Sequence, residues 1–317
     1  MASSPAVEEV GVPLNRPLRF RFDQFLRPES VSRQSLRVTG GTIDPMTGGS
    51  VAGNEFIEPF YDLLERVVVF RLPDGERWVP RTRYTITLWQ PSSNNGAGFR
   101  SIDGTELAAG LTIGFVTGDA DDPAEPPPPP RVSYCGRCVD GAFLPGAREA
   151  LQSCASAGCH DEQGPTPPLG LRLGSRASLE ASALSLPALE TLTGPGVRSV
   201  QRNGPIFGVN MPRIDPGNPG SSYLLYKMLL RPDAYAPAGD LALPPSLAAP
   251  SIEGEGRLGD LETQNLREAF VSGAPMPPPE GPAPGIERLR LLQAWIASGA
   301  ALEDDAACPS ACPPATP

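Results

Sequence analysis

The chain has 317 residues, a length that suits two domains better than one. Forty prolines and 34 glycines accompany an apolar share of 40%, which points to two modest cores joined by much loop. A net charge of -10 with no clustered basic stripe argues against nucleic-acid binding, and no apolar run approaches the length of a membrane-spanning helix.

The opening segment MASSPAVEEVGVPL has no basic stretch followed by an apolar one and does not read as a signal peptide. From Leu18 the sequence alternates, with Leu18, Phe20 and Phe22 on one face and Arg19, Arg21 and Asp23 on the other. A period of two marks a half-buried strand. The pattern returns at Leu36 and Val38, at Val67 to Phe70, at Tyr84, Ile86 and Leu88, and at Leu111, Ile113 and Phe115. Turn signals fall between the runs at Pro73-Asp74-Gly75, Asn94-Asn95-Gly96 and Asp103-Gly104. Short strands so punctuated predict a β-sandwich.

The order PLNRPLRFRFDQFLRPESV, RYTITL and IDGTELAAGLTIGFVTGD resembles the bacterial Ig-like domain of surface and secreted proteins. Such modules close on a strand ending F-x-T-G, here Phe115-Val116-Thr117-Gly118. The resemblance covers residues 8–119 and implies an all-β immunoglobulin-like sandwich acting as a spacer or interaction module, without an active site.

Residues 120–132 read as an acidic and proline-rich linker. Pro126 to Pro130 predict an extended polyproline II stretch, and the acidic residues before it are expected to bury nothing. A domain boundary is placed here, and residues 133–317 form the second domain.

All six cysteines lie beyond the linker, in the close pairs Cys135/Cys138, Cys154/Cys159 and Cys308/Cys312. His160 is the only histidine, so a full zinc ligand set is disfavoured. The segment Cys154-Ala-Ser-Ala-Gly-Cys159-His160 is the informative one. In the common C-x-x-C-H arrangement two thiols add to the haem vinyl groups, and the adjacent imidazole is thereby placed on the iron. Here four residues separate the cysteines; some c-type haems use that spacing, and the intervening residues are small enough to bulge. Two methionines stand before prolines, Met211 in Val209-Asn210-Met211-Pro212 and Met276 in Gly273-Ala274-Pro275-Met276-Pro277-Pro278. The run GIERLRLLQAWIASGA predicts a final helix with Ile286, Leu289, Leu292 and Ile296 on one stripe and Gly299 as its stop.

Helix, C-H, long loops, M-P-P and a last helix ending WI-x-x-GA resemble the cytochrome c family over residues 145–301. That resemblance implies a mostly α cytochrome c-like domain with one covalent haem c. It makes Cys154 and Cys159 the attachment residues, His160 the proximal iron ligand and Met276 the distal one, with Met211 as the rival. The implied protein is an exported electron carrier rather than an enzyme, periplasmic or at the cell surface, serving a redox partner protein. Any membrane anchoring would use a segment absent from this chain.

Cys135, Cys138, Cys308 and Cys312 are expected to form structural disulfides. Loop entropy favours bridging between the two ends of the second domain, about 4 to 5 kcal/mol per long loop, while pairing within each short motif stays open. A second reading of the same residues is a haem-free, disulfide-stapled surface or adhesion protein, in which Cys154 and Cys159 are bonded to each other.

Overall fold

The computed structural model describes residues 2–40, 58–73, 75–93, 96–102, 105–125, 130–139, 142–152, 154–155, 159–161, 170–188, 211–231, 233–239, 241–244, 247, 262, 266, 271, 274–303 and 308. Several positions singled out above lie outside the described residues: Asp74, Asn94, Asn95, Asp103, Gly104, Pro126 to Pro129, Ser156 to Gly158, Val209, Asn210, Gly273 and Cys312. The chain divides into two compact units, the first over Met1–Pro127 and the second from Pro128 onward apart from a short stretch outside the described residues.

The first unit is built from two four-stranded sheets. One is antiparallel throughout and contains β1 (Ala2–Ser4), β3 (Leu18–Arg21), β6 (Val67–Arg71) and β5 (Glu58–Asp62), in that order. The other runs β2 (Glu9–Val12), β8 (Leu111–Thr117), β7 (Arg83–Leu88) and β4 (Leu36–Gly40), with β2 parallel to β8. The chain thus changes sheets between β1 and β2. On β7 the alternation is plain: Tyr84, Ile86 and Leu88 are buried and Arg83 is exposed. Ile86 stands opposite Val38 on one side and Ile113 on the other, so one apolar row crosses three strands. Trp78 and Tyr84 meet edge-on at 4.9 Å, and Tyr84 stacks on Phe115 at 5.5 Å.

Sequence alternation did not mark β5, whose residues are EPFYD. Pro59 has no N–H to donate, and the strand lies at the sheet edge where that costs least.

On β6, Val67 to Phe70 are buried on both faces rather than one. The acidic segment before the prolines, which was expected to bury nothing, is paired to the neighbouring strand β3 and the residues before it. Arg19 is opposite Val69 in register, and its guanidinium pairs with Glu125. Arg16 pairs with Glu125 at 3.0 Å and with Asp122 at 3.2 Å, and Leu14 N–H donates to Ala120 O at 3.0 Å. Asn15 and Asp122 also exchange two hydrogen bonds at 2.9 Å. Residues 119–125 therefore fold back along the first unit as a strap.

The second unit corrects the expected mostly α cytochrome c-like domain. Among the described residues of the chain, regular structure is mostly strands in sheets, and no clearly helical domain of that kind is seen. The described helices are short: α1 (Ala147–Leu151), α2 (Arg176–Ser182), α3 (Tyr223–Leu229) and α4 (Ile286–Ala297), of 5, 7, 7 and 12 residues. Proline is the physical reason, since each one removes a donor and clashes with the preceding turn. Pro212, Pro216 and Pro219 crowd the approach to α3, and Pro275, Pro277, Pro278, Pro279, Pro282 and Pro284 fill the approach to α4.

The last helix forms where the sequence places it, but it is not a one-faced stripe. Leu289 and the whole run from Leu291 to Ile296 are buried. A helix covered nearly all round is a core element. It packs against α1, and Arg288 of α4 donates to Glu149 O at 2.8 Å. Gly299, at φ 96°, ends it as a left-handed stop.

The two ends of the second unit are stitched together. Val132 N–H donates to Ser298 Oγ at 3.1 Å, and the Glu303 carboxylate accepts from Tyr134 N–H at 2.8 Å and Cys135 N–H at 3.2 Å. Beside these contacts Cys135 and Cys308, 173 positions apart, form a disulfide. Cys138 is disulfide-bonded as well.

Candidate haem-attachment site

The approach to Cys154 is a hairpin followed by a short helix. Strands β9 (Arg137–Val139) and β10 (Ala142–Leu144) pair antiparallel. Gly146 then passes so close to Tyr134 and Gly136 that a Cβ there would lie 2.1 Å from Gly136 N. That contact requires glycine. Glu149 caps the start of α1 by accepting Gly146 N–H at 2.8 Å. Ala147, Ala150 and Leu151 bury one side of α1.

Cys154 N–H donates to Leu151 O at 2.9 Å, so the cysteine sits directly off the end of this anchored turn. Its side chain is buried, while Cys159 is partly exposed. His160 N–H donates back to Cys154 O at 3.2 Å. The structure thus brings the first cysteine and the histidine together despite the longer spacing.

His160 is buried, and a second segment holds it from the side. Leu173 N–H donates to His160 O at 2.9 Å, and ring Nδ1 lies 2.8 Å from Leu171 O. A carbonyl can only accept, so Nδ1 carries the proton and, in the neutral ring, Nε2 carries the lone pair. Residues 171–173 are pinned in turn by Ser182 of α2, whose hydroxyl accepts from Arg172 N–H and donates to Arg172 O, both at 2.9 Å. Arg172 also donates to Asp161 O at 3.0 Å. Sequence reasoning missed Leu171 and Ser182. Their part is played by a backbone carbonyl and a hydroxyl far along the chain, which leave no motif.

Of the described cysteines, Cys135, Cys138 and Cys308 are disulfide-bonded, whereas Cys154 and Cys159 remain thiols. Among the described residues no three His, Cys, Asp or Glu groups gather as an ordinary metal-ion site. A haem would need only the imidazole and one further ligand from the chain, plus the two thiols. The residues present fit that group: two reduced sulfurs and an imidazole whose proton is committed to the far side of the ring.

Both candidate distal methionines flank α3. Met211 is buried, and its carbonyl accepts Ala188 N–H at 2.9 Å. The next residue, Pro212, accepts Tyr223 N–H at 3.0 Å at the first turn of α3. Met276 is half-buried, and its N–H donates to Lys227 O at 3.1 Å near the other end. The histidine segment connects to this region through α2, where Arg213 donates to Ser182 O.

No protein-family model matches this chain, and no curated protein matches it.

Proposed function

We propose that this protein is an exported electron carrier with one covalent haem c, held by thioethers at Cys154 and Cys159, with His160 as proximal ligand and Met276 as distal ligand. The observation that carries the reading is the division of the cysteines. Of the described cysteines, those flanking the domain, Cys135, Cys138 and Cys308, are oxidised, and the two beside the only histidine are not. In an oxidising compartment an adjacent thiol pair needs a chemical reason to stay out of a disulfide, and conversion to thioethers is one. The Nδ1–H bond to Leu171 O adds to the case, because second-side donation orients a ligating imidazole and raises the basicity of its other nitrogen.

The haem would supply an iron that takes up and releases one electron. The chain's own work is to hold and orient it: the thiols tether, and Leu171 O keeps the imidazole in one tautomer and one plane. Haem attachment depends on these groups and not on a helical majority in the surrounding fold. The long-range Cys135–Cys308 bridge supports a periplasmic or cell-surface location. In the first unit, the strand orders β1-β3-β6-β5 and β2-β8-β7-β4 support the likeness to a bacterial Ig-like spacer or interaction module. The electron's destination is a partner protein, and the net charge of -10 argues against nucleic acid.

The test is the intact mass of protein exported from cells that carry the cytochrome maturation machinery. The expected mass exceeds the polypeptide by one haem, and Cys154→Ser with Cys159→Ser abolishes both the added mass and in-gel haem staining. Protein without the adduct, and with Cys154 bonded to Cys159, would instead be the disulfide-stapled surface protein.

A further inference from the structure

Prolines at 275, 277, 278 and 279 leave the loop around Met276 poor in N–H donors, so its carbonyls must find donors elsewhere. They find them in two buried cations four residues apart. Lys227, the chain's only lysine, donates from Nζ to Ala274 O at 2.9 Å, while its own carbonyl accepts Met276 N–H at 3.1 Å. One residue thereby grips the backbone on both sides of Pro275. Arg231 reaches Pro277 O at 3.4 Å and Gly281 O at 3.3 Å, and donates to Pro278 O as well. Its charge is balanced by Asp233, which it meets through two bonds at 2.7 and 2.6 Å. Both cations are nearly enclosed, at 8% and 6% exposure. Burying two cations is costly unless each is well bonded, and the bonds made here converge on one loop.

We propose that Lys227 and Arg231 are positioning residues that hold Met276 ready as the distal iron ligand and so select it over Met211. This rests on the haem reading above. A thioether is a weak, neutral ligand, and its hold on iron depends on how little loop freedom is lost when it binds. A loop already held by its hydrogen bonds with Lys227 and Arg231 loses little. Met276 is also only half-buried, whereas Met211 is packed at 5% exposure, its carbonyl held by Ala188.

The experiment uses full-length haem-loaded protein and reads the thioether-to-iron absorption band of the oxidised form and the affinity for added imidazole. Met276→Ala should abolish the band. Lys227→Met and Arg231→Met should weaken it and raise imidazole affinity about tenfold, and Lys227→Arg and Arg231→Lys should restore much of it. Haem content by mass and a cooperative melt show that each variant is folded and loaded; where the Met variants do not fold, the two conservative variants should still show a smaller change in the same direction. If the wild type carries haem but Met211→Ala removes the band and Met276→Ala does not, the inference fails together with the Met276 ligand, and covalent haem attachment at Cys154 and Cys159 stands. If folded Lys227 and Arg231 variants keep the wild-type band and imidazole affinity, the inference fails and the haem reading stands. Wild-type protein without covalent haem overturns both.

Discussion

At the scale of single residues, burial decides which charges matter. Glu125 faces Arg16 and Arg19, and the side chains of Arg19 and Glu125 are 9% and 8% exposed. Arg71 shares this crowded field. Desolvation first, and then the neighbouring Arg19, lower its pKa, while Glu125 works to raise it. Removing the one carboxylate leaves buried positive charge without compensation. Glu125→Ala should therefore destabilise the first unit by about 3–5 kcal/mol in denaturant melts. The Arg81–Asp119 pair of the same strap is 80% and 59% exposed, and Asp119→Ala should cost far less, because solvent screens the pair. Equal losses from the two variants would contradict this ranking.

Asp233 gives a pH signature at the same scale. The hydrogen bonds from Arg231 hold its carboxyl below the ordinary aspartate range. A carboxyl whose pKa is depressed by folding adds stability above its unfolded pKa of about 3.9, and that stability is lost as pH falls through the folded value. Asp233→Asn should therefore be less stable than the parent at neutral pH, and the gap should close in acid below about pH 4. Melts followed across that range check the sign; a gap that widens in acid would contradict the linkage.

At the scale of elements, α4 shows how packing overrides a periodic pattern. The stripe Ile286, Leu289, Leu292 and Ile296 predicts one buried face, yet Leu291, Gln293, Ala294 and Trp295 are buried as well. Trp295 is fully enclosed, and its indole N–H donates to Ala301 O at 3.0 Å. Trp295→Ala should cost about 3–5 kcal/mol, from the cavity and the stranded carbonyl together. A loss below about 1 kcal/mol would mean that α4 is not the core of the second unit. Since α1 packs on α4 and leads directly into Cys154, this substitution should also loosen the attachment site.

At the scale of the whole molecule, the Cys135–Cys308 bridge closes most of the second unit into one loop. In the chain-entropy model, a loop of 173 residues is worth about 5 kcal/mol. Because Cys138 is disulfide-bonded as well, Cys135→Ser combined with Cys138→Ser should lower the stability of the second unit by that order, with a smaller loss for Cys135→Ser alone, and leave the first unit's melt unchanged. A scanning-calorimetry trace in which both transitions move together would show that the two units do not melt independently.

The sequence by itself determined the strands with clean alternation, the final helix with its glycine stop, and the clustering of two thiols with the only histidine. Each of these is set by neighbours within a few residues: a period of two, a 3.6-residue repeat, or adjacent chemistry. Only the tertiary structure decided that the acidic segment is a strap, that β5 completes a sheet edge, and that the described helices of the second unit are short. It also revealed the Leu171 carbonyl behind His160 and the grip of Lys227 and Arg231 on the Met276 loop. The physical reason is common to all of them. A buried carboxylate, carbonyl or proline-rich loop must find its partner wherever the fold brings one, and those partners lie from 11 to more than 100 residues away along the chain.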